Sequence, residues 1–291
     1  MDTSSFLQQA FLLSALAFAV PILLAALGEL VGEKSGVLNV GLEGMMLVGA
    51  LAGAAVSYAT GQAVFGLFAA VGGGMLLAAL FALLTVTFKA DAIVAGTGLN
   101  LFALGLTGVL HRAISSKAAE GAYTAKIMPE WVFAVIALLL VPVLWWGFKK
   151  TRPGLQLRAA GEYPAAAEAA GVKVSRLRWS STLINGALCG MAGAFLAMSH
   201  TNSFAENMTA GRGFIALAIV IFGRWSPLGA AAAALLFGAA DAAQFQLQSQ
   251  LGTQYYPLLL ALPYVLTVLT LAGFAGRTRA PAALGQNFDQ S

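Results

Sequence analysis

Residues 131–148 read WVFAVIALLLVPVLWWGF, an apolar run of 18 residues that contains no charged side chain. A helix needs about 20 predominantly apolar residues to cross the hydrocarbon core of a bilayer, and this run comes close to that length. It does not alternate between apolar and polar residues, as the strands of a transmembrane barrel do. The stretch therefore predicts a membrane-spanning α-helix.

The composition of the whole chain indicates the same solvent. Hydrophobic residues make up 59% of the 291 residues and charged residues only 10%, against about 45–50% and about 25% in a typical soluble domain. Too little polar surface remains to cover a water-soluble globule, so we expect the chain to lie in lipid. The single cysteine, Cys189, excludes an intramolecular disulfide framework and a cysteine-based metal cluster.

Similar apolar runs follow one another along the chain. We predict nine spans, at residues 6–28, 36–59, 62–88, 91–111, 131–148, 179–199, 211–223, 227–247 and 255–275. The seventh is too short for an ordinary crossing, and it is either a short span or a broken helix. The predicted fold class is all-α, a polytopic transmembrane helical bundle of about 8–10 spans, with residues 1–291 forming a single transmembrane domain.

The basic residues predict the orientation. Residues 149–178 hold seven Lys or Arg, and Arg277 and Arg279 follow the last span. Because cytoplasmic loops are enriched in Lys and Arg, we expect both regions in the cytoplasm and the N-terminus outside. The net charge is +4, but the basic residues lie between apolar spans and not in one solvated stripe. Nucleic acid is therefore not an expected partner.

The stretch GELVGEKSGVLNVGLEGMM, residues 28–46, is unusually polar for this chain. Its charged side chains are Glu29, Glu33, Lys34 and Glu43. The predicted spans put the first three in a short inner loop, and they put Asn39 and Glu43 at the start of the second span. The glycines around Asn39 allow two interpretations: tight helix packing, or a helix break that exposes backbone groups to a polar pathway.

Other charged residues lie inside or beside the predicted spans. A charge at the centre of a span costs about 2.5–3.5 kcal/mol, so Glu43 and Asp241 should face the bundle interior or water. Two such acids would also suit a proton-coupled secondary transporter, which is one alternative function. In the outer loop before the seventh span, Arg212 is expected to pair with Glu206.

The cytoplasmic stretch contains EYPAAAEAAGV, residues 162–172, which predicts a short helix. Pro164 stands at its first helical position and Gly171 just past its end, which is the usual asymmetry of helix boundaries. A helix of about seven residues is only marginally stable in water, so its alanine surface should dock against something. Either the inner face of its own bundle or the groove of a partner protein fits, and length and exposure favour the partner.

Four segments resemble one family of transport proteins. They are SGVLNVGLEGMMLVGA (35–50), IVAGTGLNLFALGLTG (93–108), AAGEYPAAAEAAGV (159–172) and ENMTAGRGFIALAIVIFGRWSPLGA (206–230). In this order they resemble the integral-membrane permeases of ATP-binding-cassette importers for branched-chain amino acids, ribose and nucleosides. The resemblance is greatest to the nucleoside type, purine nucleoside or guanosine permeases. In the commonest importers a glycine comes several residues after the EAA triplet, whereas here Gly171 follows at once, as in this subfamily.

The resemblance implies a function and a set of partners. It implies the membrane-spanning permease of an ATP-driven importer, which moves a small polar solute, a nucleoside, across the inner or plasma membrane of a bacterium. The implied partners are a second, related permease in a heterodimer, ATP-binding-cassette ATPase subunits and an extracytoplasmic substrate-binding protein. The chain itself would bind no cofactor or metal and would not be an enzyme, because the ATPase subunits use the ATP. A permease for simple sugars is a further alternative.

The candidate site residues fall into two groups. The resemblance implies that an ATPase coupling helix, within the loop 149–178, comprises Pro164, Ala166, Glu168, Ala169, Ala170 and Gly171. For the translocation path we select a carboxylate, amides and aromatics that suit a neutral solute with a flat base: Asn39, Glu43, Asn100, Asn185, Phe204, Asn207, Gln244 and Phe245. The resemblance puts Asn39 at the family's gate. Each of these residues has an alternative interpretation as an interhelical hydrogen bond or packing group.

Overall fold

The computed structural model describes residues 3–117, 124–251, 265 and 279–288, and these residues form helices, turns and loops without any strand. The helices are α1 (Thr3–Lys34), α2 (Leu42–Thr60), α3 (Ala63–Ala82), α4 (Ala92–Ser115), α5 (Glu130–Lys150), α6 (Arg152–Glu162), α7 (Pro164–Ala169), α8 (Val174–Phe195), α9 (Arg212–Phe222) and α10 (Pro227–Leu251). Short π-helical turns, Leu83–Thr87 and Leu196–His200, extend α3 and α8.

Seven of the helices are long and apolar enough to cross a membrane: α1 to α5, α8 and α10. Each coincides with one of the nine predicted spans, so the prediction of an all-α polytopic bundle is confirmed. The ninth predicted span, 255–275, lies outside the described residues.

Helix α1 is longer than predicted, and it corrects the boundaries of the first two spans. The prediction put Glu29, Glu33 and Lys34 in an inner loop, whereas the helix continues to Lys34 and both carboxyl groups are buried. The helix continues because other parts of the chain donate hydrogen bonds to these carboxyl groups inside the bundle. Residues 35–41, which we call the α1–α2 loop, follow it, so the second span begins at Leu42 and not at residue 36.

Helix α8 lies at the centre of the bundle and packs against α1, α2 and α3. Within the most apolar stretch of α8 and its π-helical turn 78% of the residues are buried, against 22% in the most apolar stretch of α5. The contact with α3 requires glycine, because a Cβ atom on Gly74 would lie 2.1 Å from the carbonyl oxygen of Gly186. Small residues let helix backbones approach closely in lipid, and here they hold the most buried part of the bundle together.

The two ends of the bundle differ in what they carry. At the inner end, α6 packs against the end of α1 so closely that a Cβ atom on Gly161 would lie 2.4 Å from the carbonyl oxygen of Lys34. This end carries the basic residues 149–178, which the distribution of Lys and Arg assigns to the cytoplasm. At the outer end, the rings of His111 and Phe204 lie 5.1 Å apart, centroid to centroid.

The seventh predicted span is a broken helix. Helix α9 has 11 residues and is about 16 Å long, roughly half the thickness of the hydrocarbon core. The chain leaves Phe204 at the outer end, passes through turns up to residue 211, and becomes helical only after them. Beyond α9 the indole of Trp225 donates a hydrogen bond to Glu33 near the inner end. The segment therefore spans the bundle as half irregular chain and half helix.

Two short helices lie at the inner end between α5 and α8. The hydroxyl of Thr151 caps α6 by accepting a hydrogen bond from the backbone N–H of Gly154 at 3.2 Å. Helix α7 confirms the predicted cytoplasmic helix, with Pro164 in its first turn and Gly171 just beyond its end at φ +85°. Helix α6 was not predicted, although a capping threonine followed by a proline is a helix start signal.

Candidate functional site

The α1–α2 loop is held from within by Asn39. The side-chain oxygen of Asn39 accepts a hydrogen bond from the backbone N–H of Gly41 at 2.9 Å, and its amide nitrogen contacts the sulfur of Met45 at 3.3 Å. Its backbone N–H donates to Glu29 at 3.0 Å. Asn39 is fully buried, so all of these contacts lie inside the chain. Of the two interpretations that the glycines allowed, the chain shows a helix break, and a side chain of α1 stabilises it.

Two buried carboxyl groups of α1 lie beside this loop. Glu29 also accepts a hydrogen bond from the side-chain amide of Asn185 at 2.6 Å, and the thiol of Cys189 donates to the oxygen of that amide at 3.2 Å. Glu33, one helical turn beyond Glu29 and interacting with it, accepts the indole N–H of Trp225. Buried carboxyl groups need such donors, because an unpartnered polar group in the interior is costly. The cluster joins α1, α8 and the turn after α9.

Asn100 clamps the start of α2 from the neighbouring helix α4. Its amide nitrogen donates to the carbonyl oxygen of Val40 at 2.9 Å, and its side-chain oxygen accepts the backbone N–H of Gly44 at 2.8 Å. Both backbone groups lie at the beginning of α2, where a helix leaves its first N–H groups without intrahelical partners. Asn100 therefore acts in this chain as a cap provided by another helix.

Glu43 binds the N-terminus of the half-helix α9. One carboxylate oxygen accepts the backbone N–H of Gly211 and the other accepts that of Gly213, both at 2.7 Å. A carboxylate is favoured there because the helix dipole and free N–H groups make a helix N-terminus attractive to anions. The prediction that Glu43 faces the bundle interior is confirmed. Gly213 allows the close approach, since a Cβ atom there would lie 2.5 Å from the backbone nitrogen of Glu43.

The remaining predicted path residues lie elsewhere. Phe204 is buried at the outer end, and Asn207 is exposed in a turn with φ +58°. Gln244 is buried on α10, whereas the next residue, Phe245, is exposed and stacks on Phe18 with 5.1 Å between ring centroids. The structure thus brings together four predicted residues around the start of α2: Asn39, Glu43, Asn100 and Asn185. Which residues contact a solute stays a prediction.

One predicted ion pair is wrong. Glu206 pairs with Arg112 at the end of α4, at 3.4 Å, and not with Arg212. The guanidinium of Arg212 instead donates to the carbonyl oxygens of Met208 and Thr209, at 3.2 and 3.3 Å. Arg212 is held there because the preceding turns leave those carbonyl groups beside the start of α9.

Sequence reasoning missed two buried residues near the inner end, Trp225 and Arg178. Trp225 lies within one of the segments that carried the family resemblance, but nothing in its neighbourhood identifies Glu33, 192 positions away, as its partner. Arg178 looked like one of several cytoplasmic basic residues, yet it is only 5% exposed.

Helix α7 presents its alanines outward. Ala166 and Ala169 are exposed, and Ala167 packs inward with Ala160 and Val174 in a small cluster of its own. The helix is thereby fixed to the inner end while an uncharged, shallow surface remains open. This is the geometry that a docking element needs.

Seven helices long and apolar enough to cross a membrane define a multi-pass membrane protein. A family model described as "Branched-chain amino acid transport system / permease component" matches residues 11–271, and the chain belongs to this family. It is therefore a transport subunit of the plasma membrane and not an enzyme. No solved structure matches the chain significantly.

Curated relatives cover most of the chain. The guanosine ABC transporter permease protein NupQ of Bacillus subtilis is 34% identical over 93% of this chain and 93% of its own length. The nucleoside ABC transporter permease protein NupC of Lactococcus lactis is 34% identical over 95% of both chains. The putative glucose ABC transporter permease protein TsgC13 of Haloferax volcanii is 36% identical over 79% of this chain and 75% of its own. Bacillus subtilis and Lactococcus lactis each have a second similar protein, the guanosine ABC transporter permease protein NupP and the nucleoside ABC transporter permease protein NupB.

Proposed function

We propose that this chain is one permease subunit of an ATP-driven nucleoside importer. It acts beside a second, related permease, with ATPase subunits at the inner end and an extracytoplasmic substrate-binding protein at the outer end. The ATPase subunits bind and hydrolyse ATP, and this chain needs no cofactor or metal. NupQ and NupC, which are named for guanosine and nucleosides, match this chain over nearly their whole length and support the substrate class. Their counterparts NupP and NupB support a heterodimer of two related permeases.

The observation that carries the proposal is helix α7 at the inner end. Its exposed alanines, Ala166 and Ala169, form a small patch beside the half-buried Glu168, and such a patch fits a shallow groove on another protein. A helix of six residues cannot persist by itself in water, and here it is held by the contact of Ala167 with the neighbouring helix α6 and the start of α8. The surface is thus presented in a fixed orientation, as a docking element for an ATPase subunit.

The substrate proposal has one competitor, a simple sugar, because TsgC13 is named as a putative glucose permease. A proton-coupled transporter is the alternative mechanism. Uptake into proteoliposomes that hold the purified complex separates all three. We expect labelled guanosine to enter only with ATP at the ATPase side, to persist with a protonophore, and to be displaced by other nucleosides but not by glucose. ATP-independent uptake that the protonophore abolishes would sink the proposal.

The docking step is tested by Ala166→Arg. An arginine adds a long side chain and a charge that must lose its water when the partner closes over it, so binding should fail. We expect normal amounts of permease in the membrane, but loss of ATPase co-purification and of uptake. Ala166→Ser and Gln156→Arg are the matched controls: the first keeps the size small, and the second adds the same charge on the exposed side of α6. Retained ATPase and full uptake in Ala166→Arg would exclude α7 as the dock.

A further inference from the structure

A segment near the C-terminus, residues 279–288, lies across the inner end, and we call it the C-terminal clasp. Its first contact is with the end of α6, immediately before the docking helix α7. The backbone N–H of Ala283 donates to the carbonyl oxygen of Gly161 at 2.9 Å, and that of Ala282 donates to the carboxylate of Glu162 at 3.2 Å. The clasp is therefore hydrogen-bonded to the base of α7.

The second contact of the clasp is with the α1–α2 loop. The backbone N–H of Gly285, a residue with φ +71°, donates to the carbonyl oxygen of Gly36 at 3.0 Å. Three positions further along the loop lies Asn39, whose backbone N–H binds Glu29. The same ten-residue segment thus holds both the docking region and the loop that leads into the buried polar cluster.

Arg178 of α8 contacts both the α1–α2 loop and the C-terminal clasp. Its Nε donates to the carbonyl oxygen of Ser35 at 3.3 Å, and its Nη1 donates to that of Gln286 at 2.9 Å. Its Nη2 has no hydrogen-bond partner among the residues that the structure describes, and it lies against Gly36. Burying a guanidinium is costly, and a planar fork that reaches two separate carbonyl groups cannot be replaced by the single nitrogen of a lysine. Arg178 therefore binds the loop and the clasp to each other.

The end of α6, the α1–α2 loop and the C-terminal clasp meet in close contact, and we call this meeting point the joint. The backbone of α6 touches the loop at Gly161, where a Cβ atom would lie 2.4 Å from the carbonyl oxygen of Lys34 and 3.3 Å from the nitrogen of Gly36. At the far end of the clasp, the side-chain amide of Asn287 donates to the carbonyl oxygen of Lys89 at 2.7 Å, which adds the connection between α3 and α4. Close-packed contacts of this kind transmit displacement because they cannot be compressed.

We propose that the C-terminal clasp and Arg178 couple the docking helix to the α1–α2 loop, so that a movement imposed on α7 reaches Asn39 and the start of α2. This inference rests on the proposed function, in which an ATPase moves α7. Residues 282–286 and Arg178 are positioning residues: they act through the loop and contact no solute. The coupling predicts that breaking the joint separates ATP hydrolysis from transport without separating the ATPase from the permease.

Two substitutions test this coupling in the complete transporter. Ala283→Pro removes the N–H that binds Gly161, and Arg178→Lys keeps the charge but cannot reach both carbonyl groups. The controls are Arg176→Lys and Gln156→Ala, at exposed positions on α8 and α6. We measure permease in the membrane, co-purified ATPase, ATP hydrolysis, and nucleoside uptake per ATP.

We expect both test variants to retain the ATPase and its hydrolysis. Uptake per ATP should fall about tenfold in Arg178→Lys, which loses a hydrogen bond of a charged group, and several-fold in Ala283→Pro, which loses one between uncharged backbone groups. The controls should match the unaltered transporter. Unchanged uptake per ATP in both test variants would overturn the coupling, and so would loss of uptake that merely follows loss of permease or of ATPase. Failure of the proposed function is distinguishable, because it appears as ATP-independent uptake in the unaltered transporter.

Discussion

The inner and outer ends of the bundle treat their carboxylates in opposite ways. At the inner end, Glu29 and Glu33 are fully enclosed, and amide or indole N–H groups from other elements bind them. At the outer end, Glu206 meets Arg112 at 3.4 Å in a pair whose side chains are 50% and 68% exposed. A buried acceptor must have its donors in place, whereas an exposed pair exchanges partners with water at little cost.

This difference indicates where the bundle is rigid. Moving any one element at the inner end breaks hydrogen bonds to Glu29 or Glu33 that no other described residue replaces. We therefore expect the end of α1, the α1–α2 loop and Trp225 to move together. The carboxylate in the turns between Phe204 and α9, Glu206, is half exposed, so water can take the place of its partner. The proposed importer would be driven from its cytoplasmic face, and this distribution puts the buried, fully partnered carboxyl groups at that face.

The first test asks which end of the bundle lies outside the cell. The expected result is labelling at one end and none at the other. In a Cys189→Ala background, Asn207→Cys should react with an impermeant thiol reagent added to intact cells, because Asn207 is exposed at the outer end. Ala166→Cys should react only after the cells are opened. Labelling of both positions from the same side would refute the orientation assigned by the basic residues.

Removing the buried acceptor should have the next largest effect. Glu29→Ala leaves the backbone N–H of Asn39 and the amide of Asn185 without their acceptor, and two such losses cost about 2–5 kcal/mol of folding free energy. The midpoint of thermal unfolding of the purified permease measures this cost. Glu206→Ala is the matched control, in which we expect a small change. Equal shifts for the two variants would show that the inner cluster is no more demanding than the outer pair.

The smallest effect is expected at the exposed pair. Arg112→Gln should change stability by less than about 1 kcal/mol, because water screens both charges. The change should vanish in about 1 M salt, where the Debye length falls to about 3 Å. Unfolding midpoints at low and high salt give the comparison. A large shift that persists in salt would mean that the outer end is as fixed as the inner one.

The sequence predicts the spans well because their signal is local. Length and hydropathy identify seven of them, whereas the glycines around Asn39 left tight packing and a helix break as equal alternatives. The same reasoning misplaced Glu29 and Glu33, because a carboxylate without a visible partner belongs outside lipid. Their partners Asn185 and Trp225 are 156 and 192 positions away along the chain. No local pattern encodes such a pairing.

For the candidate site, the sequence indicated individual residues but not the contacts between them. Asn39, Glu43, Asn100 and Asn185 were chosen one by one as polar residues in spans, and the structure brings them together around one helix start. Their hydrogen bonds could not be predicted, because a backbone acceptor or donor such as Val40 leaves no mark in the sequence. The C-terminal clasp went unnoticed for the same reason, since its contacts use main-chain groups.

The long separation between Glu33 and Trp225 also bears on how the protein is made. A ribosome adding about 5–20 residues per second needs roughly 10–40 s to synthesise the 192 residues between them. For most of that interval Glu29 has only the backbone N–H of Asn39 as a donor, and Glu33 lacks the indole of Trp225 throughout. The last two turns of α1 must wait at the cytoplasmic interface, in contact with water, until α8 and the turn after α9 arrive. Insertion of the first helix is therefore completed only near the end of translation.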